Sequence, residues 1–489
     1  MTRSNLWLCA ADANELAREL ESGSITSAQI VGALLERIAR VDGAESDIAL
    51  RSVLAVAPDA IDTAHRLDQE RRAGEIRSHL HGVPVLIKDN IEAMGLPGTA
   101  GSTALVGRPV QRDAPLVARL RDAGLVVLGS TNLSQWANMR SPMSTSGWSA
   151  VGGLTVNPYR LDRCAGGSSS GSGAALAARL SPLAVGTETD GSITCPASLN
   201  GVVGLKPTVG TVPGEGIVPI AASQDSAGPM ARTVRDVALL FEVLSGEHDV
   251  LDRVERGWSG LRVAVATNLM TGHHPTDDLF HECVRRASAA GMKSSTIAVA
   301  QADDAVSADE VTVLLCEMAD DLSAFLARRG GEGPASLAEV VDFENEHADV
   351  ELAYFGHEFF DQALGSGGRA GDAYKVARAR NVAWAVDGCL APALADADCF
   401  IAPCYSPAWK NDLVLGGSGS ARWSQVTQAP AIAGWPIATV PMGLVHGLPV
   451  GLAVVGRPGS EATLLAVARD FEKTLQLSLE PSFLPSSRG

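Results

Sequence analysis

Apolar positions recur along this chain in two rhythms, and the alternation predicts strands interleaved with helices. Between residues 12 and 41 the period is helical. Ile30, Leu34, Ile38 and Val41 fall on one stripe, and Thr26 with Gln29 has the spacing of a capping box. This part reads as a helical hairpin, with a further polar helix over 57–73. Val83, Val85 and Ile87 then alternate as in a strand that ends at Lys88. Leu125, Val126, Val127 and Leu128 form an unbroken apolar run of the kind found in buried parallel strands. A second run over 182–186 ends in a tight loop, and 201–207 reads as another strand and turn. Residues 233–245 carry a helical stripe of Val234, Val237, Leu240 and Leu244. The predicted class is α/β: a large mixed, mostly parallel sheet core flanked by helices.

The pattern changes near residue 248. From there to 396 the chain is dominated by helical stretches with many acidic residues, which predicts a helical insertion or cap. Within it, 343–360 sets aromatics among carboxylates; such a segment either packs on the body or floors a substrate pocket. Strand-and-turn texture returns over 399–409 and 438–456, and 464–475 closes the chain as a helix. The expected organisation is one domain over 1–489: a helical part to 80, a core over 81–247, the insertion over 248–396, and a return to the sheet over 397–489.

Composition narrows the class. An apolar fraction of 46% with 19% charged residues excludes wholesale disorder. The net charge of −17 argues against a broad nucleic-acid surface, which needs clustered Lys and Arg. Eight cysteines are spread along the chain without the spacing of metal ligands and read as buried free thiols. No apolar run reaches the roughly 18 residues a membrane helix needs, and the N-terminal residues lack a secretory apolar region, so a cytoplasmic location is expected. HExxH and the GxxxxGK[ST] phosphate loop are missing from the sequence.

The candidate chemistry lies in residues 165–192, AGGSSSGSGAALAARLSPLAVGTETDGS, where two Gly/Ser-dense loops flank an alanine-rich helix. Glycines running straight into helix-forming alanines suggest a shaped loop and not a flexible spacer. Lys88 stands at the end of an apolar run. It either reaches out to solvent along its alkyl stem or is buried with a lowered proton affinity. A serine nucleophile needs a base, and a desolvated lysine serves where histidine is absent. Neither serine loop contains a histidine. The turn ending at Ser192 is short enough to aim several N–H groups at a developing oxyanion.

GGSSSGSGAALAA, then GTETDGSITCPASLNGVVGLKPT, with GVPVLIKDN upstream, closely resembles the amidase signature family of serine hydrolases. The resemblance covers about residues 10–245 and 398–475. It implies amide hydrolysis by a Ser–cis-Ser–Lys triad. Ser192 corresponds to the nucleophile, Ser168 to the bridging serine on a cis peptide bond, and Lys88 to the base. The N–H groups of Thr189, Asp190, Gly191 and Ser192 correspond to the oxyanion hole. No cofactor or metal is implied.

Two departures matter: Asp190 replaces the first of two glycines found in many members, and Ser170 replaces a glycine of GGSSGGS. Both variants resemble a subgroup of bacterial peptide amidases, as do SQDSAGPMART, SPAW and the NPY turn. The best single substrate is therefore a C-terminal peptide amide, with anilides, small aliphatic or aromatic amides and carbamates as alternatives. A further alternative is an amidotransferase component that hydrolyses glutamine and passes ammonia to a partner acting on tRNA. A non-catalytic binding relative is a third. The substrate pocket is expected around Ser144, Thr145, Ser146 and Trp148, in the insertion, and over 404–423 with Tyr405 and Trp409. The expected partner is a small-molecule or peptide amide, with the chain a monomer or homodimer.

Overall fold

Apolar runs of four to nine residues are too short to bury themselves, and they pair into one sheet of eleven strands. The computed structural model describes residues 3–43, 45–416, 421–422 and 424–486. In chain order the strands are β1 (Val53–Val56), β2 (Pro84–Lys88), β3 (Val126–Thr131) and β4 (Leu183–Glu188). β5 (Val203–Lys206), β6 (Ser226–Ala231), β7 (Val263–Ala266) and β8 (Ser294–Ile297) follow. β9 (Cys399–Pro403), β10 (Ile437–Val445) and β11 (Leu448–Gly456) complete the set. Their spatial order is β1-β3-β2-β4-β6-β5-β10-β11-β9-β7-β8.

The sheet is mixed, as expected, but it is not mostly parallel. Parallel pairing is confined to β2 with β3 and β4, and to β7 with β8 and β9. The other neighbours run antiparallel. An apolar run reports burial on both faces of a sheet and carries no information on strand direction.

β6 has no sequence signature. SAGPMA contains a glycine and a proline, which are normally excluded from central strands, yet it lies between β4 and β5. Gly228 is needed there because a Cβ would strike the carbonyl of Leu205.

The segment 248–396 also differs from a purely helical insertion. It first supplies β7 and β8 to the sheet edge. Ser294–Ile297 is a largely exposed, polar strand, so periodicity gives it no signal. The helical excursion proper begins with Asp304–Arg329, a 26-residue helix, and continues through Leu337–Glu346, Glu358–Gly365 and Asp372–Val382. Its apolar face packs on the body: Met318, Leu322, Leu337 and Phe360 cluster with Ala104, Leu105, Trp136 and Val218. The aromatics of 343–360 therefore take the packing role.

Two helices form over 12–41, Ala13–Glu21 and Ser27–Val41, with the Thr26–Gln29 capping box in place, but not as a hairpin: the second packs on the helices Asn5–Ala10 and Ala60–Arg72, the first on Val234–Ser245. All eight cysteines are buried and unpaired. The alanine-rich helix Ser170–Ala177 and its neighbour Thr194–Asn200 are buried along their whole length. Gly171 makes this possible, since a Cβ there would run into the backbone of Ser52 and Asn132. The Gly/Ser segment is thus close-packed, not a linker. Gly171→Ala is expected to cost about 2 kcal/mol or more by overpacking, measured as a lowered urea unfolding midpoint.

Candidate active site

β2 and β4 are parallel neighbours, so their C-terminal ends open on the same edge of the sheet. β2 ends at Lys88, and β4 runs into the loop of Thr189, Asp190, Gly191 and Ser192. Ser168 lies at the start of the Ser170–Ala177 helix, and its peptide bond with Gly167 is cis. The parallel pairing thus brings together residues 80 positions apart.

Lys88 has no solvent exposure. Its Nζ is 2.7 Å from Ser168 Oγ, 2.8 Å from Thr187 Oγ1 and 3.2 Å from the Thr187 carbonyl oxygen. Asn90 Nδ2 also donates to Thr187 Oγ1, at 3.0 Å. Burial pushes the lysine pKa down from its ordinary value to about 7, with Asp225 and Glu188 pulling the other way. Three oxygens match the three N–H groups of the ammonium form; in the neutral amine two N–H groups reach Thr187 and the lone pair is left for Ser168. Of the two sequence readings of Lys88, the buried one holds.

Ser192 opens onto a cavity of about 310 Å³ bounded by Asp190, Ile220, Leu314, Tyr405 and Trp409. Ser168 opens onto an adjoining one of about 380 Å³, bounded by Asn90, Ile220, Asp225, Asp321 and Arg328. Ala137, Thr189 and Ile220 belong to both walls. Between them the backbone N–H groups of Asp190, Gly191 and Ser192 donate to no acceptor among the described residues. Gly191 sits at φ +77°, and a Cβ there would collide with the Tyr405 hydroxyl.

A second buried lysine supports this loop. Lys206 Nζ, fully buried at the end of β5, donates to the Thr189 carbonyl at 2.9 Å. Glu188, Asp190 and Asp225 surround it and counter the burial that lowers its pKa. Glu188 Oε2 accepts from the N–H groups of Ile193 (2.6 Å) and Thr194 (2.8 Å), fixing the chain just past Ser192. Asp225 accepts from Thr189 Oγ1 at 2.6 Å and from Ile220 N at 2.8 Å. Burial raises its pKa to about 6. Lys206 carries the same signal as Lys88, a lysine closing an apolar run, whereas Asp225 has no sequence signal.

The expected pocket residues divide. Ser146, Tyr405 and Trp409 line the cavity of Ser192. Ser144, Thr145 and Trp148 line neither cavity. Trp148 is instead buried edge-on against Tyr354 and Phe355 of the cap, because its indole needs more apolar contact than an open wall provides. The hydroxyls of Ser144 and Thr145 are buried without partners among the described residues. Trp423 and residues 417–420 lie outside the described residues. The cap contributes Leu314, Asp321 and Arg328, all from the Asp304–Arg329 helix.

The Amidase family model matches residues 29–465. The chain belongs to the amidase family. This amidase aligns with the solved peptide amidase of Stenotrophomonas maltophilia at 39% identity and TM-score 0.90, over 97% of this chain and 98% of that one. An amidase family protein of Bacillus anthracis is 27% identical with TM-score 0.87, over 98% and 93% of the two chains. A glutamyl-tRNA(Gln) amidotransferase subunit of Symbiobacterium thermophilum is 34% identical over 94% of this chain and 96% of its own length. The enzyme is thus an amide-bond hydrolase. Among the described residues no helix is long and apolar enough to cross a membrane.

Removing the second lysine from this amidase strands buried carboxylates. Lys206→Met is expected to lose roughly 3–5 kcal/mol of folding stability. The loss should grow as pH rises, since the unpaired carboxyls must then stay protonated against solution; urea unfolding at pH 6 and pH 9 measures it.

Proposed function

We propose that this amidase cleaves carboxamides through Ser192, Ser168 and Lys88, with C-terminal peptide amides as substrates. The observation that carries the reading is the 2.7 Å contact of a fully buried Lys88 with Ser168, beside a serine-bearing turn whose N–H groups are free among the described residues. Neutral Lys88 takes the Ser168 proton while Ser168 takes that of Ser192, whose Oγ attacks the substrate carbonyl carbon. The carbonyl oxygen gains the negative charge, and the N–H groups along Thr189, Asp190, Gly191 and Ser192 receive it. The C–N bond then breaks as the proton returns from Lys88 through Ser168 to the leaving nitrogen. Water enters by the same relay, releasing the acid and restoring Ser192.

Similarity to the Stenotrophomonas peptide amidase along nearly the whole chain supports the peptide-amide choice. Two cavities meeting at the serines also suit an extended acyl group better than a lone small amide. The amidotransferase relative supports a second reading, in which glutamine is the substrate and a partner takes the ammonia. A panel of peptide amides, anilides, aliphatic amides, carbamates and glutamine, given to the chain alone without ATP or tRNA, separates them. Fast ammonia release from peptide amides is the expected result; turnover of glutamine only with added partners would favour the second.

Ser192→Ala should abolish turnover, and Lys88→Ala should reduce it by about a thousandfold or more. Activity should also fall with acidity. Below about pH 7 Lys88 gains a proton and ceases to be a base. The neutral fraction then drops by about tenfold per pH unit, which a kcat/KM profile between pH 5 and 9 reads directly.

A further inference from the structure

One turn beside the serines is built in a conformation that its residues avoid. Trp136, Ala137 and Asn138 follow one another at φ 48°, 53° and 72°. L-residues enter this left-handed region singly and seldom; a run of three without glycine requires outside support. The turn is joined to the reaction centre directly. The Ser134 N–H, at its start, donates to the Ser168 carbonyl at 3.1 Å. Ala137 belongs to both cavity walls, and Asn138 Nδ2 donates to Ser146 Oγ at 3.1 Å.

The support comes from the cap. Glu351, fully buried, accepts from Ser102 Oγ at 3.1 Å, from the Thr103 N–H at 2.7 Å, and from the Thr103 hydroxyl and the Gln135 amide. Glu344, equally buried, accepts from the Trp136 indole N–H at 3.0 Å and is bonded to His357 at 2.9 Å. Arg140 lies 3.7 Å from Glu344 and 3.8 Å from Glu351. Its guanidinium also donates to the carbonyl of Phe355 at 3.2 Å and to that of Glu351. The body therefore presents a buried socket of donors, Ser102, Thr103, Gln135, Trp136 and Arg140, and both carboxylates that fill it belong to the cap.

We infer that Glu351 and Glu344 are positioning residues: from the cap they hold the left-handed turn of Trp136, Ala137 and Asn138, and through it Ser168, in place for catalysis. The inference rests on the Ser168 and Lys88 roles proposed above. If the turn relaxes, Ser168 loses its Ser134 anchor and water gains access to Lys88. The ordinary lysine preference for the charged form then partly returns. Lys88 faces Asp225 and Glu188, neither of which touches the socket.

The test uses the full chain and one peptide amide, with kcat and KM measured from pH 5 to 9 and folding checked by circular dichroism. Glu351→Gln is the main variant because it leaves the His357–Glu344 pair intact. It should lower kcat at least tenfold with a smaller change in KM, and move the acid limb upward by on the order of one pH unit. Glu344→Gln carries the same measurement should Glu351→Gln fail to fold. Adding Ala137→Gly, which admits positive φ freely, should restore part of the lost kcat. Phe471→Leu, in the core under the closing helix and outside the cluster that holds Trp136, should lower the melting temperature without moving the limb. An unmoved acid limb in the folded variant, no rescue by glycine, or an equal limb shift in Phe471→Leu would each overturn the inference. Ser192→Ala and Lys88→Ala run alongside keep the two readings apart. Near-normal activity in either refutes the proposed triad; crippled triad variants with normal Glu351→Gln kinetics refute only the positioning role.

Discussion

A primary amine held out of water against a serine hydroxyl is the constraint on which the rest of this structure depends. In solvent a lysine is a cation at neutral pH and has no lone pair to offer; at the end of β2, with no exposure, its pKa falls to about 7. That burial needs walls on every side. β3 and β4 flank the strand, the Ser170–Ala177 helix brings Ser168 from above, and Thr187 accepts the remaining N–H groups. A looser packing at any of these would return the lysine to its ordinary charge.

The neighbouring Lys206 shows the opposite use of the same residue. It is as deeply buried as Lys88, but four carboxylates, Glu188, Asp190, Asp225 and Glu310, act on it, and it binds the Thr189 carbonyl to shape the turn that carries Ser192. Asp190 belongs to this charge cluster, and its Oδ1 is buried without a hydrogen-bond partner among the described residues. The number of nearby carboxylates, two for Lys88 and four for Lys206, thus separates the proposed base from a structural cation. The cap repeats the arrangement with signs exchanged: Glu344 and Glu351 are buried because Arg140 and a ring of neutral donors receive them.

Much of this was legible in the chain. The glycines at 166, 167, 171 and 173, the alanines after them, the lysine closing the 83–88 run and the turn before Ser192 all carry local signals. Their reasons are local: backbone freedom, helix propensity and an unusual charge after apolar residues. β6 was not legible, because a Gly-Pro strand is stable there only through ladders on both sides. Nor were β8 and the inward turn of Trp148, since a short polar strand and a lone indole acquire their places from partners far away in sequence; β7 is apolar, but four residues are too few to tell a strand from a buried piece of helix. Asp225 joined the site for the same reason, brought beside Thr189 by the pairing of β6 with β4.

The sequence by itself determined which groups are candidates for the chemistry and which segments are shaped loops, helices or buried strands, because those depend on residue type and near spacing. Strand direction, the depth at which Lys88 lies, the closing of a donor socket by carboxylates more than 200 positions away and the walls of the two cavities were decided by tertiary structure alone. Each is a matter of which surfaces exclude water from which charges, and that is settled only when distant parts of the chain pack together.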